Sequence, residues 1–217
     1  MTSTPDIQRG NHAVEQAVQL PFSQACENNK MPIWQQLAPL FKSRKQILEI
    51  GSGSGQHATF FAPQLPHCQW QCTERPQFLN GLQARLEQED VANIPDAVPL
   101  DVLTPPLCPP CQCDAIFTAN TLHIMSPAAV KACFALAGKW LPLGGLMVIY
   151  GPVNRQGRFT SASNKAFDQR IRARDSQSGI RDIAWLTALA GEVGLTLQQD
   201  LTMPANNCLL VMEKTSA

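Results

Sequence analysis

Long apolar runs are missing from this chain. No stretch of its 217 residues approaches the roughly 20 apolar residues that span a bilayer. The first thirty residues carry Asp6, Arg9, His12, Glu15 and Glu27 where a secretory signal would have an unbroken apolar core. These absences exclude a membrane helix, so a soluble, cytoplasmic protein is expected. An excess of charge of either sign is missing too. The 17 Lys and Arg cancel the 17 Asp and Glu, and charged residues make up only 16% of the chain. A polyanion-binding protein is normally basic, so a nucleic-acid partner is not expected. Low charge beside 44% hydrophobic residues equally argues against disorder. No internal repeat is visible. Eight cysteines are too few at this length for a disulfide scaffold, and several sit in apolar runs, as buried reduced thiols do.

What is present is an alternation of strand and helix signals. After a polar tail or cover over residues 1–21, a single domain is expected over 22–217. Ile33, Leu37, Leu40 and Phe41 recur at helical spacing behind Pro32, which suits a first helical turn. Gln46 to Ile50 reads as a strand, and residues after Gly55 as a helix. Cys68, Trp70 and Cys72 alternate on one side of a second strand ending at Glu74, and Phe78, Leu79, Leu82 and Leu86 mark the next helix. A short strand precedes Asp101, confined to a sheet edge by Pro99. Asp114 to Thr118, a helix from Pro127 to Leu141, and Leu146 to Tyr150 follow. Gly151 to Asn164 has no apolar period and reads as one long loop. A short helix around Phe167, another from about Asp182 to Val193, and two strands flanking Met203 to Asn207 close the chain. The fold class is therefore α/β, a doubly wound, mostly parallel sheet with one antiparallel strand.

The turn after the first strand is Gly51-Ser52-Gly53-Ser54-Gly55. Glycine lets backbone approach a ligand closely, so this is a nucleotide-type cradle. Gln56 stands where the dinucleotide fingerprint places its third glycine, which argues against a pyrophosphate. Glu49 just before the loop would repel a diphosphate and favour a cationic ligand, and S-adenosylmethionine is such a ligand. Glu74 lies about 20 residues beyond the first glycine, where such sheets present a carboxylate to ribose hydroxyls. Asp101 can accept from an adenine amino group. The alternatives are that these strand-end carboxylates merely cap helices, that the protein binds adenosylmethionine without catalysis, or that it is a nicotinamide-dependent oxidoreductase.

From Ile47 to His57 the chain resembles the class I S-adenosylmethionine-dependent methyltransferases. More narrowly it resembles the DUF938 family, which includes the methyltransferase-like 26 proteins. That likeness rests on Glu27 to Ile33, Asn120 to Ile124, Tyr150 to Pro152, Ser161 to Asn164 with Phe167 and Asp168, Gly179 to Asp182, and Met203 to Asn207. Asn28 stands where the family leads one to expect arginine, and Glu74 where aspartate is more usual. The resemblance implies a Rossmann-like seven-stranded sheet of order 3-2-1-4-5-7-6 with adenosylmethionine over the ends of strands 1 to 3. Glu49, Gly51, Ser52, Gly53, Gly55, Glu74 and Asp101 are the candidate cofactor contacts, joined by Asn120, which contacts the cofactor or positions the acceptor, its alternative being a helix cap.

Methyl transfer from a sulfonium is an in-line displacement governed by positioning, so no nucleophile or metal is needed. His123 after the fourth strand is the candidate general base, or else a structural hydrogen-bonder. Tyr150, the only tyrosine, is the second catalytic candidate, its alternative being a core aromatic with a wet tip. Asn164, Arg181, Asp182, Asn206 and Asn207 suit recognition of a small polar acceptor, although Asp182 could simply cap its helix. Asn29 and Lys30 belong to a segment expected to fold over the site. Cys108, Cys111 and Cys113 could ligate zinc or cycle through a disulfide, but no fourth Cys or His lies nearby and the motif opens no helix, so an ordinary connection is expected and no metal.

Overall fold

The computed structural model describes residues 20–216; of the tail expected over 1–21, residues 1–19 lie outside the described part. Helix α1 (Gln24–Phe41) leads into β1 (Gln46–Ile50), α2 (Gln56–Phe61), β2 (Gln69–Glu74), α3 (Leu79–Glu89) and the short β3 (Val98–Pro99). Then come β4 (Ala115–Ala119), α4 (Pro127–Trp140) and β5 (Leu146–Gly151). The chain continues through β6 (Val153–Arg155), β7 (Arg158–Phe159), α5 (Ala162–Arg174), β8 (Arg181–Asp182), α6 (Ile183–Glu192), β9 (Leu195–Met203) and β10 (Asn207–Lys214).

The seven-stranded sheet has the order β3-β2-β1-β4-β5-β10-β9. The first five strands are parallel, and β10 runs antiparallel to both neighbours. This is the expected order, with Pro99 on the outermost strand, where a missing N–H costs the ladder nothing. Because side chains alternate along a strand, β1 sends Leu48 and Ile50 into the core beneath α4 and α6, with Ile116, Phe134 and Leu186. Ile47 goes to the opposite core with Ile33, Phe61, Trp70 and Phe117. Glu49 shares that second face, so the strand period itself drives a carboxylate into an apolar layer.

Two elements differ from the sequence reading. The first helix begins not at Pro32 but at Gln24, where the Ser23 hydroxyl accepts from the Cys26 amide. Its buried stripe of Asn29, Ile33, Leu37 and Phe41 continues through Pro32 because burial outweighs a single absent N–H. The second difference lies in the segment read as one long loop over Gly151 to Asn164. It holds the strands β6 and β7, which join β8 in a small second sheet of order β7-β6-β8, and α5 starts within it at Ala162. Strands of two or three residues carry no period for a sequence to display. Arg155 makes two bonds to Asp200 of β9, at 2.6 and 2.8 Å, and so ties this small sheet to the large one.

An aromatic cluster supports the first βα turn. Phe61 stacks on the His57 ring at 5.4 Å and meets Phe117 edge to face at 5.9 Å, with Trp70 at 5.7 Å. Phe61→Ala should lower stability by about 3–5 kcal/mol through lost transfer energy and a cavity. Urea unfolding checks this, and a loss below about 1 kcal/mol would show that the cluster does not carry the turn.

Candidate functional site

Gly51, Gly53 and Gly55 have φ of 74°, 56° and 76°, left-handed values at which any side chain is strained. The turn is pinned across the sheet. The Ser52 amide donates to the Thr73 carbonyl at 2.9 Å, and the Thr73 amide donates back to the Ser52 hydroxyl at 3.2 Å. A Cβ on Gly51 would sit 2.9 Å from Thr121 Cγ2, so the first glycine packs directly on the loop after β4. Glu74 ends β2 with one carboxylate oxygen accepting from the Gly53 amide and the other from the Arg75 amide, both at 2.8 Å. The Asp101 carboxylate accepts from the Leu103 amide at 2.9 Å and stays half-exposed at the end of the third strand.

Glu49 is 1% exposed. Its carboxylate accepts from Trp70 Nε1 at 3.1 Å and lies 3.9 Å from Cys72 Sγ, and among the described residues it has no ion-pair partner. Burial pushes its pKa up to about 7, with the Trp70 and Ser52 donors pulling the other way. A carboxylate directly under a glycine cradle is thus held near its titration point, and a cation placed there would ionise it.

The N-terminal end of α1 is fastened over this turn by polar bonds. Gln56 Oε1 accepts from the Ser23 amide at 2.6 Å and the Ser54 hydroxyl at 2.8 Å, while its Nε2 donates to Glu27 at 2.7 Å. Gln56, noted in the sequence only as an obstacle to a dinucleotide, is the residue that docks the helix. Lys30 pairs with Glu27 at 2.5 Å and lies 5.1 Å from the centre of the Phe60 ring. Asn29 Oδ1 meets His57 Nε2 at 2.7 Å, so that nitrogen carries the proton. Burial depresses the His57 pKa to about 4 and keeps the ring neutral. The remaining Asn29 amide and that of Asn207 both bear on the hydroxyl of Tyr150, which is buried. Burial raises the Tyr150 phenol, and the two amides oppose that shift. His57 escaped the sequence reading, although a histidine in the first turn after a glycine loop, on the helix's buried side, is a signal.

Asn120 has φ of 57°, and its amide donates to the Tyr150 carbonyl at 2.8 Å, which joins the ends of β4 and β5. A methyl on Gly151 would lie 3.7 Å from His123 Nδ1 and 3.8 Å from Asn120 Oδ1, so both atoms converge over that α-carbon. His123 is 6% exposed and packs edge-on against Phe167. Its pKa falls to about 4 through burial first and the nearby Arg181 charge second.

Other expected binding groups are engaged in the fold itself. Asp182 is the cap of α6, with one oxygen accepting from the Ala184 amide at 2.9 Å and the other from the Gly157 amide at 2.6 Å. Asn164 is buried and donates to the Thr160 hydroxyl and the Asn206 carbonyl; Asn206 reaches back to the Ser163 hydroxyl. Asn207 donates to the Pro204 carbonyl at 3.1 Å. Arg181 is buried and donates to the carbonyls of Leu122, Met125 and Gln177, which shapes the loop after β4. Of the three neighbouring cysteines, Cys108 is exposed, Cys111 half-buried and Cys113 buried in the core.

The cradle, the carboxylates at successive strand ends and the sheet order together define a Rossmann-like methyltransferase fold. Solved structures share it. An O-methyltransferase family protein from Burkholderia thailandensis is 14% identical, with a TM-score of 0.77 over 89% of this chain and 58% of that one. Human N-acetylserotonin methyltransferase, solved in complex with SAM, is 14% identical, with a TM-score of 0.75 over 88% and 53%. An O-methyltransferase family 2 protein from Planctomyces limnophilus, solved with apigenin, is 19% identical, with a TM-score of 0.68 over 79% and 51%. The chain thus spans little more than half the length of each. It belongs to the DUF938 family, described as a protein of unknown function, whose profile matches residues 20–214. No helix among the described residues is long and apolar enough to cross a membrane.

The folded-state pKa of Glu49 exceeds the ordinary value of 4.5. Its contribution to stability is therefore present below that value and lost as pH rises through about 7. Glu49→Gln keeps an acceptor for Trp70 without the charge. Relative to the unsubstituted protein, it should be near neutral at pH 5 and stabilising by up to about 3 kcal/mol at pH 8. Denaturant midpoints at the two pH values measure this, and an unchanged difference would refute the shift.

Proposed function

We propose that the chain is an S-adenosylmethionine-dependent methyltransferase acting on a small polar molecule. The observation that carries this reading is the Glu49 carboxylate, buried at the end of β1 just before three left-handed glycines and, among the described residues, without an ion-pair partner. A diphosphate would face like charge there, whereas an ammonium group would complete the site. The residues present fit the cofactor. Glu49 would hold the aminoacyl end, with the loop amides of residues 51–55 lining the cradle. Glu74 has lone pairs left for ribose hydroxyls after its two amide bonds. Asp101 lies at the next strand end, and Asn120 at the junction of β4 and β5.

Adenosylmethionine, when bound, supplies an electrophilic methyl group on a sulfonium. The chain's own part is to orient the acceptor and exclude water. Asn29, Asn120, His123, Tyr150 and Asn207 border the acceptor side of that edge. A neutral His123 imidazole can receive a hydrogen bond from the acceptor. Because burial makes it a weak base, it suits an acceptor whose proton becomes acidic only as methylation proceeds. Helix α1, docked through Gln56 and Asn29, serves as the cover. A small acceptor also accords with the neutral composition, 17 basic against 17 acidic residues.

Thermal-shift titration should give a saturable rise with adenosylmethionine and none with NAD; at 100 times the dissociation constant the stabilisation is about 2.7 kcal/mol. Glu74→Ala should weaken binding by at least about tenfold, the order of a lost charged hydrogen bond. Between pH 5 and 7 the affinity should rise with pH, because the bound ammonium favours ionised Glu49, and Glu49→Gln should flatten that profile. A flat profile in the unsubstituted protein would remove Glu49 from the site. His123→Ala should lower turnover of a labelled methyl donor with donor affinity kept; donor binding with no turnover on any acceptor would instead indicate a binding protein.

A further inference from the structure

Beside the cofactor edge lies a small cavity walled by His123, Gly151, Pro152, Arg181, Leu186 and Cys208, among others, with room for about one water molecule. Tyr150 is also in the lining, with its hydroxyl engaged by Asn29 and Asn207, and the two remaining polar side chains are Arg181 and His123. Arg181 is 8% exposed, and among the described residues no carboxylate lies within ion-pair distance of it. Asp168, the acid whose field reaches it, is already engaged by Arg172 Nε and the Ile180 amide, both at 2.7 Å. Three of the five guanidinium N–H groups are taken by backbone carbonyls, which leaves the two on Nη1. His123 is 6% exposed, and neither ring nitrogen bonds to a described residue. A largely buried cation offset only by carbonyl dipoles and the field of a shared Asp168 is costly, and the His123 ring beside it has no bonding partner among the described residues.

We propose that this cavity receives one oxygen of a carboxylate on the methyl acceptor, with Arg181 Nη1 and His123 as its partners. The inference rests on the methyl-transfer reading and narrows the substrate class to small carboxylic acids. Other walls, Leu122, Ile149, Val153, Leu186 and Cys208, are apolar or soft, so a charged oxygen there has the cation as its main attraction. The cavity is joined to the cradle by packing contacts, since Gly51 meets Thr121, and Asn120 and His123 converge over Gly151. An acid anchored in it would extend toward the donor side of the same edge.

Formate is the smallest probe and formamide its neutral isostere. Imidazole and guanidinium NMR of the full chain at pH 7 should show a saturable formate response at His123 and Arg181 and none with formamide. Arg181→Lys, which keeps charge but loses the fork, should weaken formate at least tenfold. With labelled methyl donor, a panel of small carboxylic acids should yield product where their primary amides do not. Equal responses to formate and formamide, or no response to formate, would overturn the proposal even if Arg181→Lys fails to fold; so would equal labelling of acids and amides. A donor thermal shift on the same sample separates the two readings. A lost formate response beside an intact donor shift defeats only the carboxylate site, and the converse defeats methyl transfer.

Discussion

A single buried carboxylate governs the organisation of this molecule's functional edge. The two-residue period of β1 sends Glu49 into the layer that holds Trp70 and Phe61, where ionisation is opposed first by desolvation and then by the Glu74 charge, and supported by the Trp70, Ser52 and Cys72 donors. Such a group is stable when protonated or when a cation approaches. Three left-handed glycines follow it closely in the chain. In the proposed reading, loop and carboxylate act as one device: the loop admits the ligand, and the carboxylate selects its charge.

The side proposed for the acceptor follows a different logic. There the polar groups are mostly amides: Asn29 on α1, Asn120 after β4 and Asn207 at the start of β10. Each comes from a different element and is fixed by a backbone or side-chain bond. Amides donate and accept without titrating, so they fix Tyr150 and His57 in place while burial keeps both groups neutral. His57 and His123 have pKa values pressed to about 4, so the cations here are Arg181 and Lys30, the latter paired with Glu27.

Much of this was legible in the sequence. Sheet order, the edge strand with Pro99 and the three strand-end carboxylates follow from strand period, turn glycines and family motifs. The docking of α1 was not, because Gln56 and His57 act through partners 28 to 33 positions away in the chain, a distance at which local patterns are silent. The small sheet escaped for a related reason: β7 and β8 have two residues each and are defined by neighbours rather than by period. Asp182 illustrates the limit of residue chemistry, since an aspartate before a helix looks alike whether it binds a ligand or caps, and only the Ala184 and Gly157 amides decide. Arg181 reads in the sequence as a hydrogen-bonding group, while the lack of an ion-pair partner among the described residues is visible only once the loop after β4 is folded around it.

Pro32 divides α1 into unequal halves. Toward the C-terminus, Ile33, Leu37 and Phe41 are fully buried, so that part is bolted to the sheet. Toward the N-terminus, attachment relies on Gln56, Glu27 and Asn29, and at the boundary the ring deprives the Asn28 carbonyl of its helical donor. Pro39 leaves the same gap in the C-terminal half, where burial holds the helix, so the N-terminal half is the more weakly held. Amide hydrogens of residues 24–31 would then exchange with solvent ahead of those of residues 33–41, and exchange kinetics would report directly on how often the cradle is uncovered.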